Sequence, residues 1–342
     1  MTGSYGKTTT KEILHLILSS KFKTYSTPKN YNSTIGVAIS ILENLNWLAD
    51  VFIVEMGAYK RGEIKEICDL VPPDIAIITA VSEQHLALFG DIENTLMAKY
   101  EIVENSKKDA TIVLNGDNDL VLRVAGKSSK NKILYSTTKE LDLWASDIKS
   151  KGDYVEFNVH HKGENKRFEV KVLGEHNVSN VLAATASALT LGMTLDEIAE
   201  VLKKGSKRKK IGRLAIRKSR FGYQVIDDSY NSNSQGFSAA LDILSRTKGG
   251  KKVLVTIGII EAGDRLGEVY KALARQIVDV CDVLLTTDKR LVSAVKDEKA
   301  NFEIILDTNL KRQLSFLTRE LGREDVVLFE GPNIRLLNEI LK

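Results

Sequence analysis

The stretch that most constrains this chain is Thr2-Gly3-Ser4-Tyr5-Gly6-Lys7-Thr8-Thr9-Thr10, a glycine loop that ends in Lys-Thr and opens a helix. Ile13, Leu16 and Ile17 fall on one face of that helix at a 3.6-residue period. Glycines let backbone N–H groups approach a polyphosphate, and a helix N-terminus adds partial positive charge. Lys7 can reach terminal phosphates, and the hydroxyl of Thr8 can bind Mg²⁺. Gly3, Ser4, Gly6, Lys7, Thr8 and Thr9 are therefore the candidate phosphate-binding residues. Gly3 and Gly6 are separated by two residues rather than the four of the general pattern, so this is a short variant. The competing reading is a structural turn before a surface helix.

A phosphate loop of this kind hangs between a buried strand and a helix. Only Met1 precedes Thr2. The expectation is a truncated chain whose first strand is missing, with an ill-supported loop as the consequence.

A length of 342 residues suits two domains of ordinary size. With 49 basic against 45 acidic residues, the net charge of +4 makes no case for nucleic acid. The one dense basic run, Lys203 to Lys210, reads as a solvated linker. Cys68 and Cys281 stand far apart without neighbouring His or Cys, which suggests free thiols in a reducing cytosol. No apolar run reaches membrane-spanning length.

Further along, Thr27 to Gly36 is a polar stretch between apolar-periodic segments, either a binding loop carrying Asn30 and Asn32 or a plain connection. Val51 to Val54 reads as a buried parallel strand that delivers Glu55 at its C-terminal end, where ligands bind in open α/β sheets. A helix starts at Arg61-Gly62-Glu63. Pro73-Asp74 then leads into a second apolar run, Ile75 to Val81, ending near His85. Lys99 lies fourteen positions later in an apparent helix. An isolated histidine or helix lysine is ordinarily structural or solvated.

From Lys132 to Val172 short alternating runs suggest a small antiparallel annex. An Ala-rich helix follows from Asn177 to Leu191 with Gly192 as its stop, then another from Thr194 to Lys203. The domain boundary is placed near Lys210, giving domains 1–210 and 211–342. In the second domain, apolar runs at Tyr223 to Ile226, Lys252 to Ile257, Val283 to Thr286, Phe302 to Leu306 and Val326 to Phe329 alternate with helical patterns, the mark of a doubly wound α/β domain. The absence of G-x-G-x-x-G disfavours a dinucleotide-dependent oxidoreductase. Ser229, Tyr230 and Asn231 follow Asp228 at the end of the first of these strands, placed to face a cleft. The plainer alternative is a helix start capped by Ser234.

Taken together, TGSYGKTTT, NYNSTIG, VEMGA with RGEI, HLALFG with AKYEI, LGEHNVSNVLAA, IGR and IDDSYNSN resemble the ATP-dependent Mur ligases of peptidoglycan synthesis, in order and over essentially the whole chain. GAYKRGEI and DDSYNSN look most like the branch that joins D-alanyl-D-alanine to UDP-N-acetylmuramoyl-tripeptide. The resemblance implies an α/β fold: a P-loop-type central ATPase domain with an antiparallel annex, followed by a Rossmann-like C-terminal domain. It implies that Lys7 and Thr8 hold ATP phosphates and Mg²⁺, and that Glu55 and His85 serve a second magnesium. Lys99 falls at the position of a carbamylated lysine, so Lys7, Lys99 and His85 become the catalytic candidates. Asn177 and Asn180 fall near adenine, while Arg213 and Asp228 close onto the nucleotide phosphates and ribose. Asn30, Asn32, Ser229, Tyr230 and Asn231 are the substrate candidates.

The implied protein is a cytoplasmic monomer acting on a UDP-muramoyl-peptide and D-alanyl-D-alanine, with no nucleic-acid or membrane partner. Two departures stand out. The family's N-terminal UDP-binding domain has no counterpart here, and Gly331-Pro332-Asn333-Ile334-Arg335 stands where the D-alanyl-D-alanine ligases carry a Ser-Arg pair. The alternatives are a folylpolyglutamate-type ligase, disfavoured by DDSYNSN and GAYKRGEI, and a truncated ATP-binding module without ligase activity.

Overall fold

The computed structural model describes all residues but 29–30, 46–47, 83–90, 209–210, 213, 230–231, 260–265, 299–301 and 342. The chain forms two compact units, Met1–Gly212 and Arg213–Lys342.

In the first unit β1 (Thr24–Ser26) and β2 (Val51–Ile53) pair in parallel. A six-stranded sheet runs in the order β3 (Ile75–Ile78), β4 (Thr111–Asn115), β5 (Lys132–Ser136), β6 (Leu143–Lys151), β7 (Tyr154–His161) and β8 (Glu164–Val170). Met1 and Thr2 lie between the two pieces. The Met1 amino group donates to Val54 O at 2.8 Å and Met1 O accepts from Met56 N at 2.8 Å. On the other side Thr2 N donates to Ile77 O at 2.8 Å and Thr79 N to Thr2 O at 3.0 Å. Two residues thus make strand-type bonds on both sides, and the loop that follows is firmly held rather than ill-supported.

Helices cover both faces of this sheet, as a central strand shows. Along β4, Ile112 and Leu114 enter one core with Val37, Ile64, Ile67 and Ile102, whereas Val113 enters the other with Ile13, Ile17 and Val181. That is the period-two alternation of a strand buried on both sides. Helix α1 (Lys7–Leu18) buries Ile13, Leu14, Ile17 and Leu18, while Leu16 is only half-buried. Helices α2 (Thr34–Asn44), α3 (Glu63–Leu70), α4 (Ile92–Glu104) and α5 (Asp119–Ala125) precede the Ala-rich α6 (Asn177–Thr190), which packs along α1.

Two local expectations shift. Strand β5 pairs in parallel with β4 and β6, so the antiparallel part begins at Leu143 and extends the main sheet instead of forming a separate one. Helix α7 (Leu195–Arg208) runs through most of the basic stretch read as a linker. It does so because Gly205 lies directly against Leu16, where a Cβ would sit 2.6 Å from Leu16 Cδ1, and the buried Ser206 hydroxyl accepts Lys171 N at 3.0 Å.

The second unit is a sheet in the order β13 (Glu303–Leu306), β12 (Val283–Thr286), β11 (Lys252–Thr256), β14 (Val326–Glu330), β10 (Gln224–Asp228) and β9 (Ala215–Lys218). All neighbours are parallel except β9 with β10. Strand β9 escapes sequence reading because three of its four residues are exposed at the sheet edge. Helix α8 (Ser234–Arg246) is capped by Asn233, whose side chain accepts Gly236 N at 2.8 Å, one residue before the expected Ser234. Helices α9 (Leu266–Val280), α10 (Lys289–Asp297), α11 (Leu310–Arg319) and α12 (Ile334–Leu341) complete the unit. Among the described residues no helix is long and apolar enough to cross a membrane.

Candidate active site

The loop's shape depends on its two glycines. Gly3 has φ 152° and a Cβ there would lie 2.1 Å from Thr79 Oγ1; Gly6 has φ 82° and its Cβ would lie 2.4 Å from Asn180 Oδ1. Thr79, just beyond β3, donates its hydroxyl to Tyr5 O at 2.5 Å. Ser4 N donates to Ala80 O at 2.8 Å, and the Ser4 hydroxyl accepts Ser82 N at 3.0 Å. The Ser4 side chain is thereby used to fasten the loop to the chain after β3.

Helix α1 starts at Lys7 after Gly6 as its N-cap, with no side chain capping it and no acidic residue in its first turn. Its positive end is set for an anion. Lys7 folds back over the loop, with Nζ 2.6 Å from Gly3 O. Thr9 is half-buried and faces Gly212, whose N–H donates to Glu12 Oε2 at 2.8 Å.

Glu55 sits just beyond β2 and is 1% exposed. Its Oε1 accepts the Thr8 hydroxyl at 3.2 Å and the Asn32 amide at 3.3 Å. Its Oε2 takes the Lys11 ammonium at 3.0 Å. Burial alone would raise the Glu55 pKa, but the Lys11 and Lys7 charges and the hydrogen bonds outweigh it and hold the carboxyl below its usual range. Asn32 is held in turn, its backbone carbonyl accepting Gly57 N at 2.7 Å.

Lys99, on α4, is 3% exposed. Burial, and then the Lys7 charge, lower its pKa to about 7. Two residues on, the Glu101 carboxylate accepts Gly62 N at 2.7 Å and Lys65 N at 3.2 Å, capping α3 from a neighbouring helix. The AKYEI and RGEI segments are thus physically joined.

Asn177 and Asn180 stand together on α6. The Asn180 amide donates to Asn177 Oδ1 at 2.8 Å, Asn177 donates to Leu173 O at 2.7 Å, and Asn180 Oδ1 accepts the Thr10 hydroxyl at 3.2 Å. Asn180 therefore braces the phosphate loop from behind.

In the second unit Asp228 ends β10 in register with Glu330 of β14. The Ser229 hydroxyl donates to Asp227 Oδ1 at 2.7 Å, and Asp227 pairs with Arg217 at 3.0 Å. His85, Asn30, Arg213, Tyr230 and Asn231 lie outside the described residues.

The structure thus brings Lys7, Thr8, Asn32 and Glu55 into one centre and adds Lys11 and Thr79, which sequence reasoning passed over, as it did Glu101 at the start of α3. A signal for Lys11 exists: it lies four residues after Lys7, hence on the same helix face. A hydroxyl and a carboxylate are hard oxygen donors suited to Mg²⁺, which typically takes one or two carboxylates plus substrate phosphates. The uncapped helix end beside them completes the fit.

The family model described as Mur ligase middle domain matches residues 1–188, and the one described as Mur ligase, glutamate ligase domain matches residues 212–333. The chain is 30% identical over 351 residues to the UDP-N-acetylmuramoyl-tripeptide--D-alanyl-D-alanine ligase of Bacillus subtilis, covering 100% of this chain and 74% of that one. It is 33% identical to the ligase of the same name from Borreliella burgdorferi, covering 100% and 73%. The solved structure of MurF from Acinetobacter baumannii superimposes with a TM-score of 0.88 at 27% identity, covering 99% of this chain and 75% of that one. The MurF ligase from Thermotoga maritima in complex with ADP gives a TM-score of 0.84 at 27% identity, covering 100% and 78%. With both family models matched in order on the two units that the structure separates, the chain belongs to the Mur ligase family.

Proposed function

We propose that the protein uses ATP to join D-alanyl-D-alanine to the peptide carboxylate of UDP-N-acetylmuramoyl-tripeptide. The observation that carries this reading is the convergence of Lys7, Thr8 and Glu55 at an uncapped helix end, in a chain whose relatives are named for that reaction. ATP dependence fits a cytoplasmic place for the reaction.

Amide formation from a carboxylate needs a leaving group. The acceptor carboxylate attacks the γ-phosphorus of ATP, the bond to the β,γ-bridging oxygen breaks, and ADP leaves an acyl phosphate. The dipeptide amine then attacks the acyl carbon through a tetrahedral intermediate, losing a proton and expelling phosphate. No side chain needs to bond covalently to substrate, so catalysis consists of positioning and charge neutralisation. The loop N–H groups and the start of α1 would cradle the phosphates. Lys7 would exchange Gly3 O for the terminal phosphate, and Thr8 and Glu55, which the resemblance assigns to two different magnesium ions, would hold one Mg²⁺ together, the Thr8 hydroxyl lying 3.2 Å from Glu55 Oε1. Magnesium, when bound, supplies charge neutralisation at the transferring phosphoryl group. Asn32 would orient Glu55 through its amide on Oε1.

Lys99 fits carbamylation: a buried amine with a pKa of about 7 has a substantial neutral fraction near that pH and can add CO₂, releasing a proton. The carbamate would bring two anionic oxygens into range of the Lys7 charge.

The test is release of ADP and phosphate by the purified protein with ATP and both substrates, with product identified by mass. ADP binding without turnover in the presence of both substrates would favour a nucleotide-binding module.

A further inference from the structure

We propose that Lys11 is a positioning residue for the magnesium–phosphate centre: its ammonium holds one oxygen of Glu55 so that the other stays aimed at the Thr8 hydroxyl. This rests on the reading of Thr8 and Glu55 as the magnesium-holding pair given above.

Lys7 and Lys11 are four residues apart on α1, so they project from one face slightly more than one turn, or ~6 Å, apart. They take opposite tasks. Lys7 Nζ lies over the loop at Gly3 O, whereas Lys11 Nζ lies 3.0 Å from Glu55 Oε2. The Lys11 and Glu55 side chains are 5% and 1% exposed, so neither swings in open solvent.

The partners of Glu55 are divided by oxygen. Both hydrogen-bond donors, the Thr8 hydroxyl and the Asn32 amide, sit on Oε1, and the cation sits on Oε2. A neutral donor on Oε1 can give way to a metal at modest cost, because a carboxylate oxygen exchanges one electrophilic partner for another. The ammonium on Oε2 need not move, and by staying it fixes the carboxylate plane. A buried ion pair that served stability alone would gain little over apolar residues of the same volume. Here the cation sits on the oxygen turned from Thr8 and leaves the other to neutral donors that a metal can displace.

The experiment titrates Mn²⁺ into the protein with saturating ADP and reads free Mn²⁺ by electron paramagnetic resonance, for wild type, Lys11→Met, Lys11→Arg and Glu55→Gln. Thermal unfolding in EDTA reports the fold of each. Loss of a group that orients a metal ligand typically weakens metal binding about 10–100-fold, and Lys11→Met is expected in that range. Lys11→Arg keeps the charge and therefore the fold, but its planar fork engages both oxygens of Glu55. It too should weaken Mn²⁺ binding while its unfolding temperature stays at the wild-type value.

A counter-ion of merely structural value predicts wild-type Mn²⁺ affinity for Lys11→Arg, and that result overturns the proposal whether or not Lys11→Met folds. Failure of the underlying reading looks different: wild type would take up no Mn²⁺ with ADP, or Glu55→Gln would bind it as tightly as wild type.

Discussion

Asn180 Oδ1 lies where a side chain on Gly6 would have to go, 2.4 Å from the Cβ position, and the same oxygen accepts the Thr10 hydroxyl at 3.2 Å. The loop is therefore shaped from two directions, by its own φ of 82° at Gly6 and by a helix 170 residues downstream. Gly6→Ala should fail on both counts. The left-handed backbone alone costs roughly 1–2 kcal/mol for a residue with a Cβ, and the contact with Asn180 adds to it. Urea denaturation of the variant should show at least that loss, with ADP affinity reduced. The double variant Gly6→Ala/Asn180→Ala should recover only the part due to contact, and full recovery would show that the backbone is not strained.

Lys7→Ala is expected to separate chemistry from folding. Lys7 Nζ lies on carbonyls of its own loop, Gly3 O at 2.6 Å and Ser4 O at 3.4 Å. Removing it should leave the unfolding midpoint near wild type. Loss of one preorganised donor at a developing charge costs on the order of 100-fold or more in turnover. A variant turning over at the wild-type rate would refute the phosphate-loop role of Lys7.

How much of this was legible in advance depends on how far each signal reaches along the chain. The glycine loop and Lys7-Thr8 are local, and Glu55 was legible because an apolar run of strand length ends on it. For Lys11 the sequence offers no more than a shared helix face with Lys7, because a helix lysine is ordinarily solvated and only a carboxylate 44 positions away, at 3.0 Å, makes it otherwise. Glu101 was passed over for the same reason: its work is to cap Gly62 and Lys65 on another helix. Asn180 was assigned from the resemblance to adenine, and its contact with Gly6 and Thr10 needs the packing of α6 on α1. Strand β9 was hidden by its edge exposure, and the helical form of the basic run because its buried face continues through the small residues Gly205 and Ser206 rather than through apolar ones.

The cap made by Glu101 can be removed on its own. Glu101→Ala leaves two N–H groups at the start of α3 without their acceptor, and losing such a cap costs about 1 kcal/mol. The variant should unfold at lower urea concentration and lose hydrogen-exchange protection first in α3. A midpoint equal to wild type would mean that water replaces the carboxylate at no cost.

Glu330 gives a pH signature in the second unit. It is 0% exposed, takes the Ser232 hydroxyl at 2.8–2.9 Å, and burial, with Asp228 beside it, raises its pKa well above 4.5. The folded state therefore keeps a proton that the unfolded chain has already released. Stability from this group is present below the unfolded pKa and declines as pH rises toward the folded value, by up to roughly 1.4 kcal/mol per pH unit. Glu330→Gln, neutral at every pH, should match wild type near pH 4 and exceed it at pH 8. Urea midpoints followed by far-ultraviolet circular dichroism would check this, and parallel pH profiles for the two proteins would show that Glu330 does not titrate on folding.

Carbamylation of Lys99 makes the most specific demand on the centre. Lys99 is 3% exposed, and burial and then the Lys7 charge bring its pKa to about 7. Below that pH the amine is an ammonium, cannot add CO₂, and repels Lys7. Above it the neutral amine reacts, and the charge that disfavoured an ammonium now favours the carbamate anion. Activity should thus fall as pH drops through about 7, and added bicarbonate should oppose the fall. Protein equilibrated with ¹³C-bicarbonate should show a carbamate carbonyl signal that Lys99→Ala lacks. Lys99→Ala should lose activity that acetate partly restores, because a small carboxylate can supply the missing oxygens. Lys99→Arg, a permanent cation, should stay inactive with or without acetate. A solvated helix lysine predicts near-normal activity for both variants, and that outcome would remove Lys99 from the centre.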